Sequence, residues 1–297
     1  MLKFEKDLSF AKEEYLGRLA RVRAGMAGKG IDALLVTTPE NICYLSGYRT
    51  VGYYYTQVLV VPAAAGKEPA LVVRLFELRN ADAFSWLARA NCRPYTDIES
   101  PVDAAVAALG DLGLAAGTLG VEKTGNSFLA VDRYEELARK LPKAKFVNGY
   151  GIVENERKIK SPAEIAYIRA SCRMAEAGLR AAREHLRPGM TENELAGVVH
   201  KAMIDMGCEF PGLPPFIGSG WRTQIPHVQW TAKAIETGDN VPIELTGVTH
   251  RYAGPLFRTF MVGGATRKAK DDFRVVKDQV EAAIAALRPG VTSHDVD

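Results

Sequence analysis

A short polar stretch with one proline, Lys158-Ile159-Lys160-Ser161-Pro162-Ala163-Glu164, divides this 297-residue sequence into two parts of different hydrophobic pattern. Pro162 stands where proline is tolerated at the first turn of a helix, with Ser161 as the capping residue before it. Ahead of this junction, short β-branched runs alternate with helical periodicities. The runs are Ile31–Val36, Val58–Val61, Ala70–Val73, Thr118–Glu122 and Lys145–Val147. The helical segments are Leu8–Val22, Asp82–Ala90, Val102–Leu112 and Tyr134–Lys140. Gly28-Lys29-Gly30 supplies a stop for the first helix, and Thr37–Asn41 a turn with helix-start chemistry. The Gly- and Pro-bearing segment Pro62–Pro69 reads as a hairpin loop. Strands alternating with helices over this span predict one α/β domain, residues 1–155. A second domain, 156–297, opens with a long helix from Ala163 to about His185.

Composition narrows the class. Hydrophobic residues make up 47% and charged residues 25%, as in a globular protein. Lys plus Arg number 38 against 35 acidic residues, a formal charge of +3, which gives no basis for a nucleic-acid partner. No apolar run approaches the roughly 20 residues of a membrane span. Met1–Asp7 lacks the apolar core of a secretory signal. Cys43, Cys92, Cys172 and Cys208 form no CxxC pair, so free thiols in a reducing cytoplasm are expected.

The second part contains a repeat. Leu186-Arg187-Pro188-Gly189-Met190-Thr191 recurs as Leu287-Arg288-Pro289-Gly290-Val291-Thr292, each copy after an Ala-rich helix. The common connection "helix, Pro-Gly, cap, helix" can give such a match without common origin, as the lesser reading. A domain of two similar halves is the other reading, and it carries the expectation that the sequence stops early in its second half.

Residues with chemical potential concentrate between Phe216 and Thr259. Val241-Pro242-Ile243-Glu244-Leu245-Thr246-Gly247 is an apolar strand with one acid inside it. A carboxylate there is costly unless it is paired, coordinates a cation or binds a ligand. It can also point into water from an edge strand, or pair with Arg251 or Arg258. His227, after Pro226, is a candidate general acid/base, although a histidine alone is more often a satisfied structural residue. No GxSxG, HExxH, P-loop or dinucleotide motif is present.

On these residues the sequence resembles the creatinase, aminopeptidase P and prolidase superfamily of "pita-bread" enzymes. Ile31–Val36 with Asn41-Ile42-Cys43-Tyr44-Leu45-Ser46-Gly47 is similar to the start of its N-terminal domain. Arg157–Ile165 resembles the linker. Gly218-Ser219-Gly220, Pro226-His227, Gly238-Asp239 and Arg258-Thr259-Phe260 follow the family's order. The resemblance implies an α/β N-terminal domain followed by an incomplete α+β pita-bread domain. The metallopeptidases of the family carry an Asp at the position of Glu244 and another eleven residues on, where this sequence has Pro255. Proline has no donor for a metal, and a dinuclear site needs bridging carboxylates.

The resemblance is therefore to the metal-free branch, which includes creatinase and, closest in the Glu244–Thr259 stretch, ectoine hydrolase. It implies His227 as general base and acid, Glu244 as the group holding a cationic amidine or guanidine, and Tyr252, Arg258 and Arg49 as substrate-binding residues. It also implies no metal or cofactor, a small-molecule substrate and a cytoplasmic homodimer in which the N-terminal domain of one subunit reaches the other's site; Arg49 and Tyr53-Tyr54-Tyr55 are candidates for that reach, and a core or dimer contact is the more ordinary use of three tyrosines. The function expected is a metal-independent C–N hydrolase acting on a substrate such as ectoine or creatine. The alternatives are a metal-dependent Xaa-Pro peptidase and a non-catalytic binding protein.

Overall fold

The structure is a computed structural model that describes residues 5–124 and 128–297. The chain forms two compact units, Met1–Ser161 and Pro162–Asp297. No described helix is long and apolar enough to cross a membrane.

The first unit is built on a six-stranded mixed sheet. Its elements are α1 (Lys12–Ala27), β1 (Ala33–Val36), α2 (Pro39–Ser46), β2 (Val58–Pro62), β3 (Ala70–Arg74), α3 (Leu78–Phe84), β4 (Cys92–Tyr95), α4 (Pro101–Asp111), β5 (Thr118–Val121), α5 (Val131–Lys140), β6 (Lys145–Asn148) and α6 (Ile152–Lys158). The strand order is β4-β3-β2-β1-β5-β6. β1, β2 and β3 run antiparallel, as the Pro62–Pro69 loop requires, while β5 and β6 join parallel. Every residue of β1 and β2 is buried, which is why both read as unbroken apolar runs.

Two elements differ from the sequence reading. α3 ends at Phe84, where Ser85 turns extended and its hydroxyl donates to the Ser46 carbonyl; β4, with Arg and Pro in its middle, gave no apolar signal. Within the expected Gly28-Lys29-Gly30 stop the left-handed residue is Gly30, at φ 62°, while Gly28 stays helical. The expected boundary near 155 falls inside α6, whose Ile152 and Val153 are buried and whose Glu156 pairs with Arg21 of α1.

The second unit pairs helices with a small sheet: α7 (Pro162–His185), α8 (Glu192–Asp205), β7 (Phe216–Ile217), β8 (Asn240–Thr249), β9 (Tyr252–Met261), α9 (Arg267–Ala286) and α10 (Ser293–Val296). The sheet order is β7-β8-β9, all antiparallel. Strand periodicity sorts β8 cleanly. Val241, Ile243 and Leu245 join Ile217 in a core with Ala175, Leu179, Leu195, Val199 and Met203 of α7 and α8. Pro242, Glu244 and Thr246 occupy the other face.

α7 lies against the hairpin at two facing glycines, Gly247 and Gly254. A β-carbon at Gly247 would come within 2.0 Å of the Ser171 carbonyl oxygen, and one at Gly254 within 2.5 Å of the Cys172 nitrogen. The hairpin turn places His250 and Arg251 at φ 48° and 64°. Both of its N–H groups donate to Glu209, at 2.7 and 3.2 Å, which offsets the cost of that backbone for two non-glycine residues.

Candidate active site

Glu244 sits mid-strand on the face of the sheet turned away from α7 and α8. Its direct cross-strand neighbours are Phe216 of β7 and Phe257 of β9. The carboxylate is half-buried, and among the described residues no hydrogen bond or ion pair reaches it. Arg251 instead pairs with Glu209, and Arg258 donates to the Phe257 carbonyl. A half-buried, unpaired carboxylate flanked by two aromatic rings is suited to an organic cation, which gains from both the charge and the ring faces.

His227 belongs to the same face. Its ring lies 5.0 Å from the ring of Phe216, the residue opposite Glu244. The histidine is exposed and sits at φ 53°, a left-handed conformation that is uncommon for a residue with a side chain. Two contacts secure it. Val228 is buried against Gly218, where a β-carbon would come within 2.5 Å of the valine. Gln229 donates to the His227 carbonyl at 3.2 Å, and Arg222 donates to the Gln229 carbonyl at 2.6 Å.

The segment that carries His227 is closed at its base by Glu192, the first residue of α8, which is fully buried. One carboxylate oxygen accepts from the Ser219 N–H and hydroxyl at 2.8 and 2.9 Å. The other accepts from the Thr231 N–H and hydroxyl at 2.9 and 3.0 Å. Arg222 Nε lies 3.2 Å from that second oxygen, without the alignment of a hydrogen bond. Lys233 extends the network by donating to Ser219 and to Asp239, at 3.0 and 2.9 Å. Burial alone would push the Asp239 carboxyl up; the Glu236 N–H and the Lys233 ammonium outweigh it and hold the carboxyl below its usual range.

The remaining candidates lie elsewhere. Tyr252 occupies the α7 side of β9, where its hydroxyl donates to the buried Glu164 at 2.7 Å and its ring packs 5.9 Å from Tyr167. Arg258 is opposite Ile243 in the register, so it shares the face of the helix core at the exposed edge strand, not that of Glu244. Arg49 lies in the first unit, donating to Ser9 at 2.6 Å and Asp7 at 2.9 Å, over the ring of Phe84. The structure thus sets His227 and Glu244 each beside Phe216 and places Tyr252 and Arg258 on the other face of the sheet. Phe216, Phe257 and Glu192 were not singled out from sequence. An acid just after a helix cap is common in helix first turns, so Glu192 carries no local signal of burial.

Each unit has known relatives. Residues 18–159 match the model of the Creatinase/Prolidase N-terminal domain, and residues 166–297 that of Metallopeptidase family M24. An uncharacterized hydrolase/peptidase of Sinorhizobium fredii is 32% identical over 98% of this chain and 76% of its own length. The ectoine hydrolase of Halomonas elongata is 28% identical over 98% of the chain and 76% of its length, and an Xaa-Pro dipeptidase of Pyrococcus furiosus 28% identical over 94% and 74%. Among solved structures, the prolidase of Pyrococcus horikoshii superposes with a TM-score of 0.77 at 26% identity, covering 95% of this chain and 75% of that one. The class so defined is that of two-domain hydrolases of C–N bonds with a pita-bread second domain. The chain belongs to the creatinase, aminopeptidase P and prolidase superfamily, and its second unit matches metallopeptidase family M24.

A metallopeptidase family raises the question of a metal. On the Glu244 face the neighbouring positions are Phe216, Phe257, Pro242 and Thr246, with Pro255 opposite Thr246. Among the described residues no cluster of three His, Cys, Asp or Glu side chains is disposed to hold an ion. One carboxylate with aromatic and proline neighbours does not fit a bridged pair of hard cations.

Proposed function

We propose that the protein is a metal-independent C–N hydrolase of small amidines or guanidines, with ectoine-like and creatine-like compounds as its substrate class. The observation that carries this reading is that Glu244 and His227 both neighbour Phe216, with Pro255 where the metallopeptidases of the superfamily hold a second acid. Glu244 binds the amidinium or guanidinium by charge-assisted hydrogen bonds, and Phe216 and Phe257 flank the cation. His227 takes a proton from water as its oxygen bonds to the amidine carbon. The C–N bond then breaks as the imidazole returns that proton to the departing nitrogen, so the group ends unchanged. The similarity to an ectoine hydrolase over nearly the whole chain supports the same substrate class.

A second reading, a metal-dependent Xaa-Pro dipeptidase, draws on the equal identity to the Pyrococcus furiosus enzyme. Turnover of ectoine, creatine and an Xaa-Pro dipeptide, measured before and after exhaustive chelation, separates the two. Amidine or guanidine hydrolysis that survives chelation is the expected result. Cleavage of the dipeptide that returns only with Mn²⁺, Co²⁺ or Zn²⁺ establishes the second reading instead.

The same reading makes the protein a cytoplasmic homodimer. It is supported by the exposed apolar group Val51, Tyr53, Tyr54 and Phe76 of the first unit. Arg49 reaches a partner's site only by releasing Asp7 and Ser9. Light scattering after gel filtration tests the dimer, and a monomer at micromolar concentration refutes it.

A further inference from the structure

We propose that Glu192 is a positioning residue: its buried carboxylate closes the base of the 219–231 loop and so fixes His227 where it acts. The inference rests on the assignment of His227 made above. The loop leaves the core at the buried Ser219 and comes back to the start of α8 at the exposed Thr231, and each oxygen of the one carboxylate takes both the N–H and the hydroxyl of one end. A carboxylate without protons can accept at both ends at once, whereas an amide presents one acceptor and one donor group. The backbone repeats the closure, since the Glu192 N–H donates to the Lys233 carbonyl and the Asn193 N–H to the Thr231 carbonyl.

Between these ends His227 holds an unfavourable φ of 53°, a strain that persists only where the surroundings over-determine it. The route from the carboxylate to the histidine is short. Arg222 lies beside Glu192 and donates to Gln229, which donates to the His227 carbonyl. A full set of hydrogen bonds on a fully buried acid exceeds what capping α8 needs, because Thr191 and Glu194 already form the capping box of that helix.

The test is Glu192→Gln in the full chain, with Glu194→Gln as the control that weakens the cap alone. Amide hydrogen exchange of residues 219–231 should quicken about tenfold or more in Glu192→Gln, with α7 and β8 unchanged and no such effect in the control. On ectoine, kcat should fall about tenfold or more with KM within about twofold, and Glu192→Gln should slow His227→Asn no further. Unchanged exchange, exchange that quickens evenly through α7 and β8, or rate losses that multiply with His227→Asn would each overturn the proposal. If Glu192→Gln does not fold, Ser219→Ala and Thr231→Val each remove one hydroxyl donor from one end and are read the same way. Wild-type kcat in His227→Asn refutes the assignment of His227, while the exchange data decide separately whether Glu192 closes the loop.

Discussion

At the scale of single residues, His227 and Glu244 differ in what they contribute and so in how their loss is measured. His227→Asn keeps a polar side chain of similar shape that cannot titrate, and should lower kcat by roughly 10²–10⁴ with little change in KM. Glu244→Gln keeps the volume and removes the charge facing Phe216 and Phe257, and should raise KM for a cationic substrate. A purely structural role for either residue would instead lower melting temperature and leave kcat and KM per folded molecule as they were. Asp239 supplies a pH dependence. Its folded-state pKa lies below the usual value, so its contribution to stability is present above pH about 4 and is lost as pH falls through the lower folded value. Urea unfolding should show Asp239→Asn clearly destabilised at pH 7 and nearer to wild type at pH 3; a penalty that is constant or grows on acidification contradicts the assignment.

At the scale of elements, the contact between α7 and the β8–β9 hairpin depends on the absence of two side chains. Gly247 and Gly254 face one another across the strands, and the backbone of α7 at Ser171 and Cys172 occupies the space their β-carbons would need. Backbone cannot rotate aside as a side chain does, so overpacking here sits at the high end of its range. Gly247→Ala should cost about 3 kcal/mol or more in chemical denaturation, while Gly189→Ala, strained at φ 83° but with open space around it, should cost less. Equal penalties would mean that conformation rather than contact sets the cost. The same contact fixes which face of β8 turns outward, and therefore where Glu244 points.

At the scale of the molecule, the two units have separate cores. In the first, Leu35, Val60, Val72, Leu119 and Val121 of the central strands pack with Leu109 of α4 and Leu137 of α5. Two buried charged side chains there find their partners within the unit. Glu122 takes the N–H and hydroxyl groups of both Thr37 and Thr38, and Arg18 lies between the rings of Phe10 and Tyr44 while donating to the Tyr44 carbonyl. A unit with its own core, and with Glu122 and Arg18 paired inside it, should fold alone. Residues 1–161 expressed by themselves are expected to unfold cooperatively in urea, monitored by tryptophan fluorescence of Trp86; a gradual, non-cooperative loss of signal would show the unit dependent on the rest of the chain.

Periodicity and local chemistry determined much of this architecture. The buried runs of β1, β2 and β3, the Thr191 cap of α8, the proline start of α7 and the lone acid of β8 are all written in short stretches of sequence, because strand alternation, helix capping and proline geometry act over a few residues. The aromatic pair beside Glu244 was not legible, since Phe216 and Phe257 lie 28 residues before and 13 after it and become neighbours only through sheet register. Register also put Tyr252 and Arg258 on the far face, a distinction that turns on the parity of one residue along β9. The burial of Glu192 was likewise a tertiary outcome: an acid in a helix first turn is ordinarily solvated, and only the return of the chain at Thr231 and Ser219 supplied the donors that let it be enclosed.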